Sequence, residues 1–485
     1  MRRRPRSRPR SRPRSRPRSR LRLPVALFTV LATVATVAAC DGGVHGTPGA
    51  SGLRDPYFPK LGNGGYDVGH YALDLDYDPD THHLSGTAEI TATAGKALSA
   101  FNLDLRGLTV REVTVDGEKA VASRAGREVT VRPHDELPKG HTFRATVRYD
   151  GEPVTVTDPD GTGEGWLRTA DGALGLGEPT GSMAWFPGNH HPSDKATYDI
   201  RITVPTGVQA VSNGELRRTK RSSDGRRTAY DWRMRQPMAS YLATVAIGKF
   251  ETERGRTPAG IPVYTAVDPD EAKASAKVLA RLPEVLDWEA ERFGAYPFSS
   301  TGAIVDRAGD VGYALETQTR PVFPGAPDVG LLVHELAHQW YGDSVTPKSW
   351  RDMWLNEGFA TYAEWLWDEE HGGDTARQTF GAIMKRPASD GVWAFPPAEP
   401  PNAAHLSDSP VYERGAMVLQ KVREAIGDTK FSALLKSWPT DHKYRCADTD
   451  DFTAYVERKN PGKGEALAGV WETWLYGNGK PESAS

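Results

Sequence analysis

The chain has 485 residues, of which 38% are hydrophobic and 25% charged, with a net charge of -3 and a mean hydropathy of -0.54. That length exceeds one ordinary hydrophobic core and accommodates two or three domains. No interior stretch approaches the ~20 apolar residues of a membrane-spanning helix, and the two cysteines, Cys40 and Cys446, exclude both a disulfide framework and a Cys-type structural zinc site.

Residues 1–22 form an Arg-Ser-Arg-Pro repeat without a single acid, and residues 23–39 are an apolar run too short to span a bilayer. This is the layout of a secretory signal. The run ends in Val37-Ala38-Ala39-Cys40, which resembles a bacterial lipobox. Residues 1–39 are therefore expected to be a lipoprotein signal. Cys40 becomes the lipidated first residue, and the protein is exported, held at the outer face of the bacterial cytoplasmic membrane or secreted. An arginine repeat also suggests nucleic acid. Once the leader is removed, residues 40–485 carry 48 basic against 63 acidic residues, a net charge of -15, so no nucleic-acid partner is expected. Nothing calls for an oligomer, and a monomer is the simplest expectation.

Residues 40–54, rich in Gly with Pro and Ser, are expected to be a flexible tether. From there to residue 251 the pattern has period two: Phe143, Ala145, Val147 and Tyr149 alternate with Thr142, Arg144, Thr146 and Arg148, as in a strand with one wet face. Such runs, broken by Asp116-Gly117 and Asn213-Gly214, predict an antiparallel β-sandwich or saddle over 55–251. Residues 252–485 shift to helical spacing. Val278, Leu279, Leu282, Val285, Leu286 and Phe293 lie on one helix face, Gly294 is placed to end that helix, and Pro283 predicts a kink inside it. Residues 386–410 lack a period and are expected to be a long loop. The overall expectation is an α+β multi-domain protein.

In Val333-His334-Glu335-Leu336-Ala337-His338 the two histidines are four residues apart in an apolar helical frame. Four residues turn a helix by about 400°, so both imidazoles leave one face and can share a metal ion. Glu335 lies too far round to be a ligand but close enough to touch a water on the ion. A third ligand is needed, and Glu357 supplies a candidate. The interval from His338 to Glu357 is long enough for one helix to end, a loop to turn at Pro347 and a second helix to return. The paired His190-His191 and His82-His83 have no such further ligand spacing.

His334-Glu335-x-x-His338 with Asn356-Glu357-Gly358 resembles the signature of the gluzincin metallopeptidases of the aminopeptidase N family. Glu291-Arg292-Phe293-Gly294-Ala295-Tyr296-Pro297, Tyr341-Gly342-Asp343 and Tyr412-Glu413-Arg414-Gly415-Ala416 are similar in the same order. The resemblance implies a β-saddle followed by a mainly helical thermolysin-like domain, with one zinc ion per chain held by His334, His338 and Glu357. It implies Glu335 as general base and Tyr412 as oxyanion donor. Tyr313-Ala314-Leu315-Glu316-Thr317 is similar to the family's G-A-M-E-N segment and Leu176-Gly177-Glu178 to its N-domain acid, which implies Glu316, Glu178 and Ala314 at a substrate's free N-terminus. Tyr313 stands for Gly, Thr317 for Asn, and Leu176 where a Gln often lines the first pocket. Glu364, seven residues after Glu357, would face the same way and orient a zinc histidine.

The implied reaction is release of N-terminal amino acids from peptides. A thermolysin-like endopeptidase and an inactive zinc-containing surface lipoprotein are the alternatives. The stretch from Tyr412 to Ser485 is enough to finish the catalytic domain and no more, from which an open cleft with little dependence on peptide length is expected.

Overall fold

The computed structural model describes residues 46–482. The expected signal and lipidated Cys40 lie outside the described residues. Alternation builds the N-terminal half: in Thr142–Gly151, Phe143, Ala145, Val147 and Tyr149 are buried while Thr142, Arg144 and Arg148 face solvent. This strand belongs to an eight-stranded sheet. Its order is Glu215–Arg221, Arg227–Ala239, Lys195–Pro205, Tyr66–Asp78, His83–Ala94, Thr142–Gly151, Thr109–Val115 and Glu118–Lys119. Neighbours are antiparallel except Lys195–Pro205 beside Tyr66–Asp78. The register sets Val147 opposite Ala88 and Ala145 opposite Ile90, so one face is continuously apolar. Asp116-Gly117, both at positive φ, makes the tight reversal from Thr109–Val115 to Glu118–Lys119.

A five-stranded sheet runs Thr155–Thr157, Gly163–Arg168, Ala173–Leu176, Val245–Gly248 and Gln209–Ser212. Its first three strands bring the acids discussed below to the domain boundary.

The described part of the expected tether is held down. Thr47–Pro48 pairs in parallel with Leu98–Asp104, Ala50–Ser51 pairs with Asn63–Gly64, and the Leu53 N–H donates to Leu61 O at 3.1 Å. The glycines that suggested freedom serve close approach instead: Gly52 has φ +98, and a Cβ there would lie 2.4 Å from Pro59 O. Just beyond, Asp55 accepts from Ser349 Oγ at 2.8 Å and from the Trp350 N–H at 3.0 Å. Burial would raise the Asp55 carboxyl, but His191, the Tyr57 and Phe58 N–H groups and the Ser349 hydroxyl hold it at about 2.

The C-terminal half opens on a sheet of Glu251–Arg256, Pro262–Val267, Thr301–Val305 and Val322–Phe323, antiparallel for the first pair and parallel thereafter. Helices α1 (Ala272–Leu279) and α2 (Leu282–Phe293) follow. The kink expected at Pro283 is a full break. The chain leaves α1 at Ala280-Arg281, and Pro283 sits in the first turn of α2, where its missing N–H costs nothing. Gly294, at φ +99, ends α2 as its position suggested. Next come α3 (Val329–Ala337), α4 (Trp354–Glu370), α5 (Ala376–Met384) and α6 (Gly415–Ile426). The expected loop 386–410 contains two short 3₁₀ turns, capped by Asp390 and Asn402.

Buried polar contacts join the halves. Lys195 Nζ donates to Asp343 O, Ser344 O and Thr346 Oγ1 at 2.7, 3.0 and 2.6 Å, and Arg320, 1% exposed, donates to the Gly214 and Ser212 carbonyls. Among the described residues no helix is long and apolar enough to cross a membrane.

Candidate metal centre and substrate cavity

Asp328 caps α3 by accepting from the Leu331 N–H at 2.8 Å, and the helix ends at Ala337 with His338 as its C-cap. His334 and His338 thus leave the last turn on one side, their ring centroids 4.8 Å apart. Gly342 lets the chain turn back: at φ +131, a Cβ there would press on Asn356 and His338 Nδ1. α4 then delivers Glu357. Its Oε2 lies 3.3 Å from His334 Nε2 and 3.5 Å from His338 Nε2, and the three donor atoms all fall within 4.8 Å of one another. Ligands about 2.05 Å from a tetrahedral ion are separated by about 3.3 Å, so the triad fits a small divalent metal.

The other ring nitrogens are engaged. His334 Nδ1 meets Glu364 Oε1 at 2.6 Å and His338 Nδ1 meets Tyr341 O at 3.0 Å, which leaves both Nε2 atoms facing Glu357. Burial would raise the Glu357 carboxyl, but the imidazoles of His338 and His334 hold it at about 2. Conversely, burial would lower His338, yet Glu357 and Glu316 raise it to about 9. The cluster attracts cations, and in their absence protons.

Glu335 points into the same space, 5% exposed, with Oε2 unpartnered among the described residues. Burial, opposed by the two imidazoles, pushes its carboxyl up to about 8. Tyr412 stacks its ring on His334, centroids 6.1 Å apart and 15° from parallel. Its neighbours explain how it gets there. Glu413 pairs with Arg386 at 2.6 and 2.8 Å, and buried Arg414 donates to the carbonyls of Phe395, Thr473, Trp474 and Gly477. Gly415 touches Gly358 of α4 backbone to backbone, a Cβ on Gly358 falling 2.9 Å from Gly415 C. This glycine contact sets the spacing between Tyr412 and Glu357.

The space beside these groups is a cavity of about 430 Å³ between the two halves, lined also by Glu178, Ala314 and Glu316. Glu316 is 3% exposed, and Oε1 atoms of Glu316 and Glu178 lack partners among the described residues. Carboxylate oxygens of Glu178, Glu316 and Glu357 converge within 4.8 Å. Burial raises both Glu178 and Glu316. All eight candidate residues therefore meet in one cavity.

Two residues differ in place from the expectation. Leu176 is fully buried and does not line the cavity, and Thr317 spends its hydroxyl on Arg320 O at 2.6 Å. Tyr313 does line it. His190 and His191 are buried, bonded to Phe186 O and Ser193 Oγ. Sequence reading missed Asp158, Asp160 and Glu164, which line the cavity from a hairpin that carries no motif, and Trp350 and Met353, whose apolar character gives no functional signal.

A His-Glu-x-x-His turn completed by a glutamate from the following helix, roofed on one side by a β-rich domain, defines the gluzincin type of metal centre. The comparisons narrow this further. The peptidase family M1 domain matches residues 327–474 and the peptidase M1 N-terminal domain matches residues 68–242, and the chain belongs to peptidase family M1. It is 27% identical to an aminopeptidase A of Gloydius brevicauda over 63% of this chain and 34% of that protein, and 25% identical to a glutamyl aminopeptidase of Bos taurus over 85% and 46%. The chain thus spans less than half the length of these relatives. An M1 zinc metallopeptidase mutant from Deinococcus radiodurans, bound to a Tyr-Ser-Ala substrate, superposes with a TM-score of 0.81 at 29% identity, covering 89% of this chain and 99% of that one.

Proposed function

We propose that the protein is a zinc aminopeptidase that removes single residues from the free N-termini of peptides. One observation carries the reading: the half-buried Glu178 and the buried Glu316, each with an unpartnered oxygen among the described residues, converge on Glu357 of the triad inside a single cavity. A hydrolytic metal site needs no such pair, whereas a substrate's α-ammonium does. The pair fixes the first residue, so the first peptide bond falls at the triad. The Tyr-Ser-Ala complex of the Deinococcus relative supports a short peptide as ligand.

Two imidazoles and one carboxylate with room for a further ligand suit zinc, which when bound supplies a Lewis acid that polarises a carbonyl and acidifies water. The chain's own groups do the rest. Glu335 takes a proton from the attacking water and returns it to the leaving amine. The Tyr412 hydroxyl donates to the oxygen on which negative charge develops. Glu364 and the Tyr341 carbonyl fix the imidazoles, and Trp350 and Met353 add apolar wall to the cavity.

The test compares a peptide with its N-acetylated form. Removal of the first residue from the free peptide alone is expected; equal cleavage of both overturns the reading in favour of an endopeptidase. No turnover of either by metal-loaded protein favours a binding lipoprotein. We also propose export and lipid attachment at Cys40, supported by the leader and by Val37-Ala38-Ala39-Cys40. Cys40→Ser is then expected to move the protein from the detergent to the aqueous phase.

A further inference from the structure

The cavity continues past Glu178 to a second group of acids. Strands Thr155–Thr157 and Gly163–Arg168 are joined by Asp158-Pro159-Asp160-Gly161, a turn closed by the Gly161 N–H donating to Asp158 O at 2.9 Å. Gly161 is at φ +96, which glycine adopts without strain. The turn presents both carboxylates to the cavity, and Tyr313 faces them from the catalytic half. Glu178 connects the two regions. It converges with Glu316 and Glu357 on one side, and on the other the charges of Glu164, Glu178, Asp158 and Asp160 all bear on the Tyr313 hydroxyl, which burial already makes hard to ionise.

These acids are not equivalent. Glu164, 1% exposed, accepts from the Thr180 N–H, Thr180 Oγ1 and the Gly181 N–H, so its work is to hold the segment that carries Glu178. Asp160 Oδ1 accepts from the Thr162 N–H at 2.7 Å, and its second oxygen has no hydrogen-bond partner among the described residues. Asp158 Oδ1 and Tyr313 Oη are shielded from solvent and without a partner among the described residues. No described residue lining the cavity is Lys or Arg, and neither aspartate forms an ion pair with a described residue. Asp158 is half-buried and Asp160 exposed; the shielded Asp158 oxygen, in a cavity without a cation, is costly until one reaches it. The nearly fully buried Glu316, with an unpartnered oxygen in the same cavity, marks where the α-ammonium of that ligand begins.

We propose that this end of the cavity receives a cationic side chain, so that the preferred substrates begin with Arg or Lys, whose charge meets Asp158 and Asp160 while the shaft lies along Tyr313. The proposal rests on the aminopeptidase reading and adds the substrate class. Neutral side chains leave the aspartates unpaired, and acidic ones are repelled. The specificity elements then come from both halves, the hairpin from the N-terminal domain and Tyr313 from the catalytic one.

The test measures kcat/KM on the 4-nitroanilides of Lys, Arg and norleucine, the last matching the lysine shaft without its charge. The wild type is expected to favour Lys and Arg over norleucine by about tenfold or more, the equivalent of about 1.4 kcal/mol. Asp158→Asn with Asp160→Asn, isosteric changes, is expected to bring the ratio near one. A wild-type ratio of one or below overturns the proposal, as does a variant that slows all three substrates by the same factor. If the double variant does not fold, competition on the wild type decides: lysinamide must inhibit more tightly than norleucinamide, and equal inhibition overturns the proposal. Norleucine and lysine substrates hydrolysed alike would refute the cationic pocket and leave the aminopeptidase reading standing. Cleavage of N-acetylated peptides as fast as free ones would remove that reading itself.

Discussion

Replacing Gly358 by alanine tests whether the approach of α4 and α6 places Tyr412, the proposed oxyanion donor. The added Cβ would lie 2.9 Å from Gly415 C and 3.0 Å from Gly415 Cα. Unstrained carbon contacts begin near ~3.5 Å, and because the obstructing atoms are backbone, no rotamer change relieves the clash. The helices must part by roughly 0.5 Å or more, and overpacking of this kind costs about 1–3 kcal/mol. Tyr412 lies in the turn that runs directly into α6, so the same displacement separates its hydroxyl from the groups on α3 and α4. A misplacement approaching 1 Å at a reacting centre costs about 100-fold. The expected result is kcat reduced about 100-fold, a lowered melting temperature and one metal ion still bound per chain. Gly381→Ala is the control: this glycine lies inside α5 with nothing within 4 Å of its Cβ position, so the change should stabilise by up to about 1 kcal/mol and preserve turnover. Full activity in Gly358→Ala at unchanged melting temperature would refute the reasoning.

Glu335→Gln should keep its metal and lose about 100- to 10,000-fold in kcat; a variant that loses its metal would mean that Glu335 is a ligand. Glu364→Gln, which weakens the hold on His334 Nδ1, should reduce metal affinity about 10- to 100-fold, read by chelator competition; unchanged affinity would deny the contact any role. Metal binding requires neutral imidazoles, and although burial lowers His338, Glu357 and Glu316 hold it at about 9 in the metal-free protein. Protons therefore compete, and zinc affinity should strengthen by about tenfold per pH unit for each proton displaced as the pH rises toward 9. The metal-free fold has the opposite dependence. A histidine raised above its ordinary value of 6.5 contributes stability that is complete below that value and lost as pH rises through about 9. Melting of chelator-treated protein across that range checks the sign, and a flat profile contradicts it.

Local rules made the cluster of His334, His338 and Glu357 legible. Two histidines one turn apart must share a face, and Glu357, beyond the turn at Pro347, can return to them only through a second helix. Strand periodicity likewise foretold the burial of Phe143, Ala145, Val147 and Tyr149. What escaped was tertiary. Asp158 and Asp160 carried no signal, because nothing in Asp-Pro-Asp-Gly says that Tyr313, from the other half of the chain, lines the same cavity. Gly358 and Gly415 stood in separate motifs with no sign that they touch. Residues 46–54 have a linker's composition, yet their backbone groups find partners in strands further along the chain, and composition does not report partners. Leu176 held a position associated with a pocket, but it ends a strand whose four residues are all buried, and its side chain belongs to the core.

Asp55 binds the first described stretch of the chain to Ser349 and Trp350, at the approach to the helix that bears Glu357. Anything fused or fastened ahead of residue 46 therefore meets a folded body that has no slack of its own between that residue and the cavity wall at Trp350. The range over which the opening can swing relative to such an attachment is set by whatever precedes that residue. Lengthening or stiffening that connection should change which substrates the opening can reach while its chemistry stays the same.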